Sequence, residues 1–167
     1  QLARPDVAII NNAGPCHLEG FGDVAGVARA KGEIFQGLSA NGIAIINRDD
    51  PYADDWTGLN AGRPVVTFGL DAPATVSGQV LDASSNRFRL TIPDGAVDIC
   101  LPLPGRHNIR NALAAAAAAR AVGATLDDIR QGLEGLQAVG GRLQRLPGRH
   151  GGAVIHDAYN ANPASLA

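Results

Sequence analysis

The stretch "GIAIIN", residues 42–47, is a continuous apolar run that ends in a polar asparagine. Such runs are typical of strands that are buried on both faces in a parallel sheet. A similar run, "VAII" at residues 7–10, precedes it, and "PVVTFG" at residues 64–69 follows it. The segments between these runs, residues 22–38 and 50–62, have the composition and spacing of helices. The alternation of strands and helices predicts an α/β fold with right-handed crossovers and a parallel sheet flanked by helices.

The pattern changes after residue 74 to alternating or β-rich segments separated by turn sequences. These segments are "ATVSGQVL" (74–81), "RFRLTI" (87–92) and "VDICLPL" (97–103). The turns between them, "DASSN" and "PDG", favour short connections between adjacent strands. We therefore predict a small antiparallel β meander after the parallel strands.

Helix boundaries are indicated by capping residues. We expect Asp50 to cap the helix over 50–62, with Pro51 at its first position. The helix over 106–123 is predicted to close at Gly123. The next helix is predicted to begin at the cap Thr125. Its apolar stripe consists of Ile129, Leu133 and Leu136.

A glycine-rich stretch, "QAVGGR" at residues 137–142, predicts a hinge between two domains. Beyond it, residues 142–159 read as a hairpin-type pair of strands followed by a loop and a helix. We place the boundary near Gly140, which divides the chain into residues 1–139 and 140–167.

Composition limits the classes of function. The chain has 167 residues, 46% of them hydrophobic and 18% charged, which is enough for one ordinary globular core. A net charge of −2 and no basic cluster argue against a nucleic-acid partner. No signal peptide or apolar run of bilayer length occurs, so we expect a soluble protein. Because the chain lacks methionine and ends where a helix would begin, we expect a piece of a longer protein.

The two cysteines, Cys16 and Cys100, are too few for a disulfide framework and have no metal-ligand spacing. We expect ordinary thiols that are buried and inert.

A lysine interrupts the apolar face of the helix predicted over residues 22–38. Residues spaced three and four apart lie on one face of a helix, and the apolar ones here are Val24, Val27, Ile34 and Leu38. Lys31 occupies the remaining position of that face. An unpaired ammonium is costly to bury, and no acidic residue lies three or four positions away. Either Lys31 extends its amine to solvent at the helix rim, or it has a partner elsewhere in the chain.

Three further segments combine polar residues that are suited to ligand chemistry. "NNAGPCHLEGFG" (11–22) contains a histidine and a glutamate and follows a predicted buried strand. Loops at the carboxyl ends of parallel strands are where α/β proteins bind ligands. "GRHNIRNAL" (105–113) brings two asparagines to one side of a helix, which suits recognition of a base edge, although Asn108 could instead cap the helix. "GGRLQR" (140–145) and "HDAYNANP" (156–163) offer an arginine for phosphate and an aspartate for sugar hydroxyls.

The order and spacing of these segments resemble the Mur ligases, the ATP-dependent amide-forming enzymes of bacterial cell-wall synthesis. The resemblance implies the later part of a central ATP-binding domain followed by the start of a Rossmann-like C-terminal domain. Within the family, "AKGEIF" (30–35) and "YNANP" (159–163) favour the branch that adds D-alanyl-D-alanine to UDP-N-acetylmuramoyl-tripeptide. A sister ligase for another amino acid and a non-catalytic module that binds a nucleotide or a partner are the alternatives.

The resemblance also implies the cofactors ATP and Mg²⁺ and a role for each matching residue. Lys31 matches a lysine that is carbamylated by carbon dioxide and holds magnesium, and an inward-facing amine loses its proton more readily for that reaction. His17 matches a histidine that shares the metal, and Glu19 is a weaker candidate ligand. The residues implied to bind ATP or line its pocket are His107, Asn108, Asn111, Arg142, Asp157, Tyr159 and Asn160.

One element of the family pattern is missing from the chain. The 167 residues contain no Gly-x-x-x-x-Gly-Lys-[Ser/Thr] phosphate loop and not even a Gly-Lys dipeptide. We therefore expect the isolated chain to be inactive as a ligase. By resemblance, the complete enzyme is expected to be a cytoplasmic monomer.

Overall fold

A computed structural model of the chain describes residues 3–15, 18–137 and 144–156. Its main feature is a six-stranded sheet in which the strands follow one another in chain order. The strands are β1 (Val7–Ile10), β2 (Ile43–Asn47), β3 (Val65–Gly69), β4 (Val76–Asp82), β5 (Arg87–Ile92) and β6 (Gly95–Cys100). Strands β1 to β4 are parallel and β4 to β6 are antiparallel, which confirms the predicted α/β class with a meander. The meander extends the parallel sheet, because β4 pairs with β3.

Five α-helices lie in the described residues, and helices from this set pack on both faces of the sheet. They are α1 (Leu18–Phe21), α2 (Val24–Gly32), α3 (Ala53–Leu59), α4 (Arg106–Ala121) and α5 (Leu126–Glu134), with 3₁₀ turns at Glu33–Gly37 and Arg149–Gly151. No helix in the described parts of the chain is both long and apolar enough to span a bilayer.

Two apolar clusters form the core, one on each face of the sheet. Alternate residues of β2 enter opposite clusters: Ile45 packs with residues of α4, α5 and the meander, whereas Ala44 and Ile46 pack with Trp56 of α3. The strand is therefore buried on both sides, which explains its continuous apolar sequence.

The helix predicted over residues 22–38 is shorter than expected. It ends at Gly32, and the chain continues as a 3₁₀ turn. Because a 3₁₀ turn has three residues per turn, the apolar face changes phase. Phe35 is consequently 1% exposed, whereas Ile34, predicted to face inward, is 47% exposed. The start is set by Asp23, whose Oδ1 accepts a hydrogen bond from Gly26 N at 2.6 Å.

The predicted caps are mostly confirmed. Gly123 follows α4 with a φ of 94°, and Thr125 forms a capping box with Asp128. Leu136, predicted to be in the stripe of α5, lies after the helix end and is exposed. Asp50 does not cap α3 directly, since the helix starts at Ala53; its Oδ1 accepts from Tyr52 N in the preceding turn.

The prediction of a buried Cys100 is wrong. The thiol is exposed because successive side chains of a strand alternate, and the neighbouring Ile99 occupies the core position. Cys16 lies outside the described residues.

The hairpin predicted after the hinge is present. Strands β7 (Gln144–Pro147) and β8 (Ala153–His156) form a separate antiparallel two-stranded sheet. The predicted boundary at Gly140 and the helix expected after residue 157 lie outside the described residues.

Candidate functional site

The carboxyl ends of β1 and β2 meet the N-terminal part of α4. The segment that follows β1, residues 11–13, is here called the β1 loop. Asn11 Nδ2 donates a hydrogen bond to Asn111 Oδ1 of α4 at 2.8 Å. This position, beyond the carboxyl ends of parallel strands, is where α/β folds commonly bind ligands.

Lys31 points toward the same loop. The side chain is half-buried, and its Nζ donates a hydrogen bond to the carbonyl oxygen of Asn12 at 2.6 Å. Within the described part of the chain, Lys31 forms no ion pair with a carboxylate. The amine is therefore fixed by a neutral partner, which satisfies one of its donors without compensating its charge.

The two other predicted metal ligands are His17 and Glu19. His17 lies outside the described residues. Glu19 is exposed on α1, where it lines a shallow depression with Leu18 and Gly20. Across residues 3–15, 18–137 and 144–156, no three histidine, cysteine, aspartate or glutamate side chains are placed to hold a metal ion.

The first turns of α4 bring the two predicted asparagines together. Asn111 Nδ2 donates to Asn108 Oδ1 at 3.5 Å, and Asn108 Nδ2 donates to Pro104 O at 2.7 Å. The alternative that Asn108 caps the helix is wrong, because the N-cap is Gly105 and has no side-chain cap. His107 is exposed, and its ring lies so close to Gly105 that an added Cβ would be 2.7 Å from its Cε1.

A network of charged residues that the sequence reasoning missed anchors the same end of α4. The carboxylate of Asp49 accepts three backbone hydrogen bonds at 2.8–3.0 Å from the segment after β3 and lies 3.4 Å from Arg110 Nε. Arg110 Nη2 also pairs with Asp71 Oδ2 at 2.6 Å, and Arg106 pairs with the other oxygen. The hydrogen bond from Arg110 is the main cause that lowers the pKa of the Asp71 carboxyl. The spacing of the two arginines, four residues apart on one helix, was the available signal.

The remaining predicted site residues lie at the end of the predicted hinge or beyond it. They are Arg142, Asp157, Tyr159 and Asn160, and all of them lie outside the described residues.

A separate groove of about 370 Å³ lies between α2 and α3. Its lining includes the apolar Trp56 and Leu59 and the charged Arg29 and Asp55. Neither Lys31 nor the asparagines of α4 line it, so it is distinct from the candidate site.

Comparisons with a family model, with curated sequences and with solved structures all match this chain to Mur ligases. Residues 1–119 match the Mur ligase middle domain family. The chain is 48% identical over 168 residues to the UDP-N-acetylmuramoyl-tripeptide–D-alanyl-D-alanine ligase of Escherichia coli K12, covering 99% of this chain and 37% of that protein. It superposes with a TM-score of 0.91 on a crystal structure of MurF from Acinetobacter baumannii, at 36% identity, covering 98% of this chain and 36% of that one.

A third similar structure contains a nucleotide. A MurF ligase from Thermotoga maritima, crystallised in complex with ADP, matches with a TM-score of 0.80 and 27% identity over 98% of this chain and 38% of that one. The chain thus spans little more than a third of the length of these relatives.

Proposed function

Because this chain belongs to the Mur ligase family, we propose that it forms part of a bacterial ligase that joins D-alanyl-D-alanine to UDP-N-acetylmuramoyl-tripeptide. In this proposal, residues 1–139 are the later part of the ATP-binding domain and residues 140–167 begin the C-terminal domain. The enzyme works in the cytoplasm as a monomer and supplies a precursor of peptidoglycan.

The proposal depends most on the contacts of the β1 loop. The loop contacts Lys31, the expected metal-side residue, through the Asn12 carbonyl, and Asn111, the expected adenine-side residue, through the Asn11 amide. A single short segment therefore joins the two groups that an ATP-dependent ligase must hold in register.

The proposed reaction has two steps. The terminal carboxylate of the tripeptide attacks the γ-phosphorus of ATP, which releases ADP and forms an acyl phosphate. The amine of D-alanyl-D-alanine then attacks the acyl carbon, loses a proton, and displaces inorganic phosphate to leave an amide.

This chain's residues have distinct parts in the proposal. His107, Asn108 and Asn111 bind the adenine side of ATP, where paired amides read a planar base edge. Arg142 contacts the phosphates, and Asp157 accepts hydrogen bonds from the ribose hydroxyls. Tyr159 and Asn160 line the pocket on the same segment.

Lys31, as a carbamate, and His17 are the residues that would hold magnesium. A carbamate offers the oxygen ligands that magnesium prefers, which an ammonium cannot. When bound, the ion neutralises negative charge on the phosphates. Glu19, which is exposed on α1, is the weaker candidate ligand for the same ion.

The test uses the full-length ligase that contains this chain, assayed for ATP-dependent formation of the UDP-linked pentapeptide. Lys31→Arg keeps a positive charge but cannot form a stable carbamate, so we expect kcat to fall on the order of 10²–10³-fold. The matched control is Arg29→Lys on the same helix, whose side chain is 74% exposed and which should leave kcat unchanged. Labelled carbon dioxide should give a carbamate NMR signal that Lys31→Arg removes.

Other outcomes would identify the alternatives. Turnover with a single amino acid in place of the dipeptide would indicate a sister ligase. Nucleotide binding without any amide formation would indicate a non-catalytic module. Full activity of Lys31→Arg would contradict the role of the lysine.

A further inference from the structure

Two buried polar side chains lie beside the candidate site and have no part in the proposed function. Asn47, at the end of β2, is 5% exposed, and Asp50, three residues later, is 7% exposed. Burying an amide or a carboxylate is costly unless its hydrogen bonds are satisfied, so the partners of these two residues are informative.

Asn47 holds the start of the β1 loop. Its Nδ2 donates to the carbonyl oxygen of Asn11 at 2.8 Å, and its Oδ1 accepts from Asp49 N at 2.9 Å. Both ends of the amide are used, which fixes its orientation.

Asp50 holds the end of the same loop. Its Oδ2 accepts from Ala13 N at 2.7 Å, and its Oδ1 accepts from Tyr52 N at 2.9 Å. The carboxylate therefore ties the β1 loop to the turn that precedes α3.

The residue between the two tethered positions, Asn12, presents its carbonyl oxygen to Lys31. Asn11, whose backbone Asn47 holds, presents its side-chain amide to Asn111. We propose that Asn47 and Asp50 are positioning residues that clamp the β1 loop and thereby set Lys31 and Asn111 relative to each other. This inference rests on the proposed function, because it assigns the two residues to the ligase reaction.

The chain offers a matched control for the effect of losing a buried amide. Asn60, at the end of α3, is 1% exposed, and its Nδ2 donates to the backbone oxygen of Trp56 at 2.9 Å. Its Oδ1 accepts from Arg63 Nη1 at 3.3 Å. Asn60 thus resembles Asn47 in burial and bonding but makes none of its hydrogen bonds to the β1 loop.

The kinetic test compares Asn47→Ala with Asn60→Ala in the full-length ligase that contains this chain. Loss of a group that supports a ligand typically costs 10–100-fold, so we expect kcat/KM for ATP to fall by about that factor in Asn47→Ala. Asn60→Ala should change kcat/KM less than about twofold once both are corrected for the folded fraction measured by thermal unfolding. Equal losses in the two variants would overturn the proposal and leave Asn47 a structural residue.

A second variant, Asp50→Asn, tests the proposal if Asn47→Ala does not fold. Asp50→Asn preserves shape, but its amide group must face one of the two backbone N–H groups that the carboxylate accepts. We expect a smaller fall in kcat/KM than for Asn47→Ala, in the same direction. Unchanged kinetics in Asp50→Asn would remove Asp50 from the proposal.

Hydrogen exchange on the full-length ligase that contains this chain separates this inference from the proposed function. Asn47→Ala should accelerate exchange of the Ala13 amide, whereas Asn60→Ala should not. If the wild-type ligase makes no pentapeptide, the proposed function fails, and exchange alone decides whether the clamp exists. If the wild-type ligase is active and exchange at Ala13 is unchanged in Asn47→Ala, the clamp is wrong and the proposed function stands.

Discussion

The parallel and antiparallel halves of the sheet use polar side chains in opposite ways. In the parallel half, the buried Asn47 and Asp50 bind the backbone of the loop after β1. In the antiparallel half, the described buried residues are apolar, and Asp98 pairs with Arg87 and Arg89 on the solvent side. The comparison indicates that the parallel half fixes the loop that contacts Lys31 and Asn111, the residues of the proposed site, whereas the meander mainly supplies apolar packing.

The connections of the strands explain this difference. Antiparallel neighbours are joined by tight turns, whose backbone groups are largely satisfied locally. Parallel strands end in loops that enter crossovers, and the backbone groups of these loops need partners from elsewhere. Side chains at the end of a neighbouring strand provide such partners, so the same contacts that satisfy the backbone also fix the loop.

The largest expected effect is loss of stability in the meander. Phe88 of β5 is fully buried, so Phe88→Ala should lower the free energy of unfolding by about 3–5 kcal/mol. Urea unfolding of the chain measures the loss, with Phe88→Leu as the milder control. In Phe88→Ala, the rate at which the Ala13 amide exchanges hydrogen through local opening should equal that of the wild type, as long as the protein stays folded. Faster local exchange at Ala13 would break the comparison, because it would couple the meander to the β1 loop.

A smaller effect is expected from the charged network of the parallel half. The Asp49 carboxylate accepts backbone hydrogen bonds from Leu70, Asp71 and Ala72. In an asparagine, one of the two accepting oxygens is replaced by an NH₂ group, which would face a backbone N–H and could not accept its hydrogen bond. Asp49→Asn should therefore cost about 2 kcal/mol of unfolding free energy.

The control for Asp49→Asn is Asp54→Asn. Asp54 pairs with Arg48 but its side chain is 89% exposed, and exposed pairs contribute at most about 1 kcal/mol. Similar losses in the two variants would contradict the view that Asp49, whose side chain is 7% exposed, acts through its backbone hydrogen bonds.

The strands and most caps were predictable because they depend on local patterns. The run at residues 42–47 has a continuous apolar sequence, and Thr125 with Asp128 is a capping box that can be read directly. The end of α2 was not predictable, because the 3₁₀ turn at Glu33–Gly37 keeps the composition of a helix while changing its period.

The site was only partly predictable from the sequence. Lys31 was identified by its unusual place on an apolar face, and Asn111 by its spacing from Asn108 and by family resemblance. The pairing of Arg110 with Asp71 was missed because 39 residues separate them, and only the folded sheet brings them together. The contact of Asn11 with Asn111 was missed because nothing in the sequence around a single asparagine after a strand indicates which residue it binds.

The smallest expected effect concerns acid stability and compares one carboxylate from each half. The pKa of Asp71 is lowered chiefly by a hydrogen bond from Arg110, and the pKa of Asp98 chiefly by one from Arg89. A carboxyl with a lowered pKa in the folded state stabilises the fold above the unfolded value of about 3.9, and this contribution is lost as the pH falls through the folded pKa. Stability should therefore decline below about pH 4, and Asp71→Asn or Asp98→Asn should each flatten that decline.

Removing each carboxylate should loosen a different part of the structure. Asp71 joins the segment after β3 to α4, which carries Asn111, whereas Asp98 joins only strands of the meander. Urea midpoints measured from about pH 6 to pH 2, together with exchange at the amides around Asn111, test this. Asp71→Asn should loosen the first turns of α4, and Asp98→Asn should not. If Asp98→Asn loosened α4 equally, positioning of the site would depend on both halves of the sheet.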